Sequence, residues 1–125
     1  MHTISIVIDK SLEEVFEFTT NPKNTHLWVS FISQEFSNEY PPKVGTIYES
    51  YRDNSNHTKM QVAEFKQDEL FVLTNMQETL FVKYTYKALN DNKTELTYSD
   101  WMTDRTFDSP IQLDILRKLK KVMEG

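Results

Sequence analysis

Three histidines carry the side chains best suited to proton transfer in this sequence, because the reference pKa of histidine is about 6.5. His2, His26 and His57 lie far apart in the chain, and no spacing between them matches a metal-binding motif. We therefore expect no metal site. His26 is a candidate acid or base if it lies at the mouth of a cavity. The alternative is that His26 is a surface or capping residue beside the start of a helix.

Several kinds of reactive site are excluded by residues that the chain lacks. It contains no cysteine, which removes disulfides, thiolate catalysis and cysteine-based zinc sites. Its two glycines, Gly45 and Gly125, cannot form a glycine-rich phosphate loop or a Gly-x-Ser-x-Gly nucleophile turn. Hydrolase and nucleotide chemistry are therefore not expected, and the sequence predicts no cofactor.

A carboxylate in the stretch ELTYSDWMTDR is the remaining candidate for chemistry. If the alternation of Leu96 and Tyr98 continues, Asp100 lies on the buried face, where a carboxylate needs a partner or has a raised pKa and marks a functional site. A β-bulge after Tyr98 would instead turn Asp100 outward and Trp101 inward. We favour the bulge because such irregularities are common near the ends of sheets. In that case Arg105 is available to pair with either Asp100 or Asp104.

The elements that position these residues begin with a strand and a helix. Isoleucines at alternate positions of TISIVI, residues 3–8, predict a half-buried first strand. Ser11 and Glu14 form a capping-box signature, so we expect a helix that starts there and ends before Pro22. The apolar stretch THLWVSFI, residues 25–32, follows as a second short helical segment. It is too apolar to be left in water, so it either closes a cavity or fills a solid core.

A series of strands separated by turns accounts for most of the remaining chain. From about Ser33 onward, five or six strand-like runs alternate with the turn signals NEYPPKVG, DNSNH, KQDE, QE and NDNK. The clearest run is LFVKYTYKA, residues 80–88, in which one face carries Leu80, Val82, Tyr84, Tyr86 and Ala88, and the other carries Lys83, Thr85 and Lys87 with Phe81 as an apolar exception. One dry face and one wet face are typical of an antiparallel sheet.

The hydrophobic period changes near the C-terminus. Ser109 as N-cap and Pro110 at the first helical position predict a helix of about 15 residues that ends near Glu124. The basic run RKLKK, residues 117–121, lies where positive side chains complement the helix dipole. The apolar residues that recur at helical spacing are Ile111, Ile115, Leu116, Leu119, Val122 and Met123.

Length and charge restrict the class of protein. With 125 residues and 38% hydrophobic content, the chain is long enough for one domain with a core, which we expect to span residues 1–125. The formal net charge of -5 is opposite in sign to a phosphate-binding surface, so nucleic acid is not an expected partner. The sequence shows no run of 18 apolar residues and no signal-peptide pattern. We therefore expect no membrane insertion and a cytoplasmic location.

The order of these elements resembles the START-like, or SRPBCC, helix-grip superfamily, which includes Bet v 1-like and polyketide cyclase-like proteins. The resemblance runs from about Ile4 to Glu124. It rests on IDKSLEEVFEFTTNPKNTHLW, PPKVGTIYE, KTELTYS and LRKLKKVME in that order. It implies an α+β fold, in which a curved antiparallel sheet of about six to seven strands grips a C-terminal helix and two short helices follow the first strand.

The same resemblance implies an apolar cavity between the sheet and the C-terminal helix. We expect this cavity to bind a small hydrophobic or aromatic molecule, including a lipid, and a homodimer is compatible with the sequence. Arg52 is either a polar anchor of the site or a surface residue. A cyclase-like enzyme, and a protein-partner module resembling the Hsp90 ATPase activator homologues, are the alternatives. The predicted ligand-binding residues are Trp28, Phe31, Met60, Tyr84, Tyr86, Tyr98, Leu116 and Leu119.

Overall fold

The computed structural model describes residues 1–52, 57–105 and 111–125. Seven strands and three α-helices make up the described chain. In chain order they are β1 (His2–Ile8), α1 (Leu12–Thr20), α2 (Thr25–Trp28), β2 (Gln34–Ser37), β3 (Ile47–Tyr51), β4 (His57–Lys66), β5 (Leu70–Asn75), β6 (Leu80–Asn90), β7 (Lys93–Met102) and α3 (Leu113–Glu124). A single 3-10 turn at Pro22–Asn24 joins α1 to α2.

All seven strands form one curved antiparallel sheet in the order β1-β7-β6-β5-β4-β3-β2. The first strand pairs with the last, and each of the others pairs with its neighbour in sequence. The strand alternation read from the sequence is confirmed in β1, where Ile4, Ile6 and Ile8 are more buried than Thr3 and Ser5. The predicted meander of about six strands is also confirmed, and the three helices lie against its inner face.

Helix α1 begins and ends where the sequence predicts. Ser11 accepts a hydrogen bond from the backbone N–H of Glu14, and the Glu14 side chain accepts one from the backbone N–H of Ser11. This reciprocal pair satisfies N–H groups that a helix start leaves without partners. The helix ends at Thr20, and Asn21 caps the turn that Pro22 opens.

Helix α3 is shorter than predicted. The described helix begins at Leu113 with Gln112 as N-cap, and the predicted cap at Ser109 and Pro110 lies outside the described residues. Leu116 and Leu119 are fully buried, which confirms the core of the predicted apolar face. Val122 is an exception to the predicted apolar face, because it is 36% exposed. Met123, which lies four residues after Leu119 and so on the same face, packs against the core instead.

Helix α3 runs beside β1, an edge strand of the sheet. Lys120 donates from Nζ to the carbonyl of Val7 at 2.9 Å, and the backbone N–H of Asp9 donates to Glu124 Oε2 at 2.7 Å. The exposed edge of a sheet carries unpaired backbone groups that other strands can join. Lys120 of the basic run therefore has a structural role, because it donates a hydrogen bond to one of these backbone groups. Within the described residues, no helix is long and apolar enough to cross a membrane.

Candidate functional site

A cavity of about 510 Å³ lies between α2 and the inner face of the sheet. The predicted position between the sheet and the C-terminal helix was wrong, because no residue of the described helix α3 lines this cavity. Side chains from β2, β3, β4, β5, β6 and β7 line it, together with α1, α2, the segment after α2 and Ile111 just before α3. Pockets that bind small molecules in proteins usually enclose about 300 to 1,000 Å³. The stretch that includes Trp28 and Ile32 therefore covers a space and not a solid core.

The floor of the cavity is aromatic and almost fully packed. Trp28, Tyr48, Phe71 and Tyr98 are each no more than 2% exposed, and Tyr84 is 7% exposed. Their rings meet edge-on or tilted: the Tyr84 ring centre lies 5.3 Å from that of Tyr98, 5.8 Å from that of Phe71 and 6.5 Å from that of Trp28. Such ring pairs are favourable beyond the area that they bury. These packed rings form the aromatic floor of the cavity.

The open part of the cavity wall is apolar and only partly buried. Its aliphatic members are Ile32, Met60, Leu73, Leu80, Val82 and Ile111. The mouth is formed by exposed residues, which are Phe31, Arg52, Lys59, Met76 and Gln77. The guanidinium of Arg52 lies 4.7 Å above the centre of the Phe31 ring, in a cation–π contact. Arg52 is therefore a residue of the cavity entrance.

Glu35 on β2 is a cavity residue that the sequence reasoning missed. It is partly buried, and it is the one acidic side chain in the described lining. Thr25 donates from Oγ1 to Glu35 Oε1 at 2.6 Å, and the Ser50 hydroxyl donates to Oε2. Burial raises the pKa of the Glu35 carboxyl, and the hydroxyls of Ser50 and Thr25 oppose this rise by stabilising the charged form.

The strand pattern around Glu35 gives a misleading signal. Phe36 is the apolar residue next to it, so alternation favours Phe36 inside and Glu35 outside. The structure has the reverse, with Phe36 53% exposed and its ring packed edge-on against Tyr51 on the outer face. The site could have been predicted only from the pairing of Glu35 with Ser50 between strands β2 and β3.

Five of the eight predicted ligand-binding residues line the cavity, and three do not. Those in the lining are Trp28, Phe31, Met60, Tyr84 and Tyr98. Tyr86 is outside it because its hydroxyl hydrogen-bonds Thr19 Oγ1 at 2.7 Å and its ring packs against Phe16. Leu116 and Leu119 are outside it because both are fully buried in the core under α3. A contact between any of the eight residues and a ligand stays a prediction.

The tyrosines of the cavity stay protonated at physiological pH. Burial raises the pKa of Tyr84, and nearby Tyr86 and Glu35 add to the rise. Burial also raises the pKa of Tyr98, with further contributions from Tyr84 and from the Asp100 carboxylate. Both hydroxyls are therefore neutral groups, which can orient a ligand but cannot supply an anion.

The preferred placement of Asp100 outside the sheet was wrong. The pairing of β7 with β1 and β6 runs without a shift from Leu96 to Asp100, so no bulge follows Tyr98 and Asp100 is fully buried. Asp100 Oδ2 accepts a hydrogen bond of 3.1 Å from the backbone N–H of Ile111. Within the described residues, Asp100 Oδ1 and Trp28 Nε1 are buried without a hydrogen-bond partner. Asp100 thus anchors the residue that leads into α3.

The three histidines occupy unrelated places. His2 Nε2 lies 2.9 Å from the carbonyl oxygen of Ile111, whose backbone N–H donates to Asp100. His26 is exposed and absent from the cavity lining, and the His57 ring stacks on Tyr51. In the part of the chain that the structure describes, no three metal-binding side chains come together.

Comparison with known sequences finds neither a matching family model nor a matching curated protein. Comparison of structures finds many neighbours. A START superfamily protein from Mycobacterium smegmatis has a TM-score of 0.74 and 11% identity, over 98% of this chain and 96% of that chain. The chain has the START-like helix-grip fold.

Two further neighbours share the START-like fold. A conserved protein of unknown function from Enterococcus faecalis has a TM-score of 0.75 and 16% identity, over 97% of this chain and 69% of that chain. A protein of the dynemicin biosynthetic locus has a TM-score of 0.72 and 16% identity, over 98% of this chain and 46% of that chain. This chain spans about half the length of that protein. At these identities the likeness establishes the fold and leaves the activity to the site.

Proposed function

We propose that this protein binds a small molecule with a hydrophobic or aromatic body in the cavity between α2 and the sheet. The observation that carries the proposal is the partly exposed aliphatic wall, with Met60, Leu73 and Val82 facing a space of about 510 Å³. Apolar surface of this kind stays in contact with water unless something covers it, and covering it is favourable by about 25 cal/mol per Å². A ligand with a planar apolar body would do so.

The apolar wall and the polar side of the cavity suit different parts of such a ligand. The aliphatic residues of β5 and β6 offer a flat apolar surface, whereas Glu35 and the hydroxyls of Thr25 and Ser50 offer polar contacts at one side. A mostly apolar pocket with a few fixed polar groups is the usual form of a small-molecule site. The START-like fold of the neighbours is consistent with this use of the cavity.

The test is a cavity-filling substitution. We expect the wild-type protein to bind the neutral probe N-phenylnaphthylamine with about micromolar affinity, near 8 kcal/mol. Val82→Trp should weaken binding at least about tenfold without lowering the melting temperature much, because the indole enters space that is already empty. Val7→Trp is the matched control, since Val7 lies on the outward face of β1 and outside the cavity. Its affinity for the probe should equal that of the wild type.

Two results would contradict the proposal. Equal binding by wild type and Val82→Trp would place the probe elsewhere on the protein. A strongly destabilised Val82→Trp variant, together with no binding of the probe by wild type, would show that the space closes in solution, because forcing extra volume into a packed core costs about 1 to 3 kcal/mol.

A cyclase-like enzyme is the second candidate, and Glu35 is the observation that favours it. Its raised pKa brings a carboxyl group in the cavity wall closer to neutral pH, where proton transfer is most effective. Mass spectrometry of a ligand recovered after incubation separates the two functions. A binding protein returns the ligand unchanged, and an enzyme returns a product whose formation is lost in Glu35→Gln.

A further inference from the structure

Within the described residues, no ion pair neutralises the carboxylate of Glu35. The ion pairs of the described residues join Lys43 to Glu39, His57 to Glu49, Lys93 to Asp9 and Lys120 to Glu124, and none of them reaches Glu35. The partners of its carboxylate are two neutral hydroxyls, from Thr25 and Ser50. A buried carboxylate without a positive partner is unfavourable, so a cation that entered the cavity would be stabilised there.

The carboxylate of Glu35 can accept more hydrogen bonds than the protein gives it. An ionised carboxyl group offers about four lone-pair positions, and each of its oxygens accepts one hydroxyl here. A protonated amine carries up to three N–H donors and forms charge-assisted hydrogen bonds, which are about twice as strong as neutral ones. The unused positions on Glu35 therefore match an ammonium group.

The surroundings of Glu35 also favour positive charge. Tyr48 and Tyr84 line the same cavity as Glu35. The faces of aromatic rings carry negative potential and attract cations. The overall charge of -5 adds a weak attraction at long range.

We propose that the cavity selects ligands that carry a protonated amine on an apolar or aromatic body, and that the carboxylate of Glu35 binds the ammonium group. This inference rests on the proposed function, because it names the chemical class of ligand for the same cavity. Arg52 and Lys59 at the mouth are exposed to solvent, which screens their repulsion of an entering amine. If Arg52 and Lys59 determined selectivity instead, the cavity would prefer a ligand that carries a carboxylate.

Three probes with the same aromatic body separate these outcomes: 2-naphthylmethylamine, 2-naphthylmethanol and 2-naphthoate. Titration calorimetry near neutral pH should rank the amine first, by at least about tenfold over the alcohol, since hydrogen bonds to charged groups are stronger than those between neutral groups. Glu35→Gln should remove the advantage of the amine and leave the affinity for the alcohol within about threefold. Glu64→Gln is the matched control, because Glu64 is exposed on β4 and outside the cavity lining.

The possible failures are distinguishable from one another. If the alcohol binds as tightly as the amine, or if Glu35→Gln keeps the amine preference, the inference is wrong and the proposed apolar site stands. If 2-naphthoate binds best, Arg52 and Lys59 determine selectivity and the inference is also wrong. If none of the three binds and N-phenylnaphthylamine does not bind either, the proposed function fails with it. The ranking in the wild-type protein decides the matter even where Glu35→Gln lowers the melting temperature.

Discussion

Removal of the Asp100 side chain should destabilise the protein through the segment that enters α3. Asp100 Oδ2 is the hydrogen-bond acceptor for the backbone N–H of Ile111, and the residue is fully buried. In Asp100→Ala this partly buried N–H loses its acceptor. We expect a loss of about 1 to 3 kcal/mol in the free energy of unfolding, which is the usual cost of an unsatisfied buried group. Asp100→Asn keeps a side-chain oxygen and should lose less.

Urea denaturation followed by circular dichroism measures these differences. Asp104→Ala is the matched control, since Asp104 is an exposed residue of the same type nearby, and its effect should stay within about 0.5 kcal/mol. His2→Ala provides a second test, because His2 binds the carbonyl of the same residue, Ile111. Two changes that act on one residue should not be additive, with a coupling of about 0.5 kcal/mol or more.

An Asp100→Ala variant as stable as the wild type would refute this reasoning. It would mean that Ile111 finds another partner or that Asp100 turns out of the sheet, as a bulge after Tyr98 would require. Full additivity of Asp100→Ala and His2→Ala would show that the two side chains do not hold a common segment.

The remaining predictions concern α3 and Glu35. Leu116→Ala should lower the free energy of unfolding by about 2 to 5 kcal/mol, because Leu116 is fully buried. Val122→Ala should lower it by less than about 1 kcal/mol, because Val122 is exposed. Similar losses in the two variants would contradict the observed orientation of α3. Burial raises the pKa of the Glu35 carboxyl in the folded state above its unfolded value of about 4.3. The stability that the protonated carboxyl provides is therefore fully present below the unfolded pKa and is lost as the pH rises through the folded pKa. Glu35→Gln should therefore gain stability relative to the wild type as the pH increases, and a difference that is constant with pH in urea titrations would count against a desolvated carboxyl.

Local patterns predicted most of the fold because each element was specified by nearby residues. The capping box of Ser11 and Glu14 fixes the start of α1, and the alternation in β1 fixes which face is buried. The start of α3 was placed wrongly, since the described helix begins at Leu113 after Gln112. Capping residues define a candidate helix start, whereas the observed start depends on how the preceding segment is held, here through Ile111.

The site was harder to predict because it depends on contacts between distant strands. Glu35 enters the cavity through its pairing with Ser50, and its neighbour Phe36 is the residue that alternation would have placed inside. Asp100 was misplaced for a related reason. Burying a carboxylate is costly unless it has a partner, and its partner here, the backbone N–H of Ile111, could not be identified from the sequence. Leu116 and Leu119 lie outside the cavity because α3 packs on β1 and α2, and the helical spacing that predicted their burial does not reveal this packing.

The methionine methyl groups give the most direct test of ligand binding in the cavity. Met60 and Met76 lie in its lining, whereas Met102 and Met123 lie outside it and serve as internal controls. In protein labelled with carbon-13 at the methionine methyls, titration with 2-naphthylmethylamine should shift the Met60 and Met76 resonances in the NMR spectrum and leave those of Met102 and Met123 in place. Shifts confined to Met102 or Met123, or no shift at saturating concentrations of this amine and of N-phenylnaphthylamine, would contradict a ligand site between α2 and the sheet.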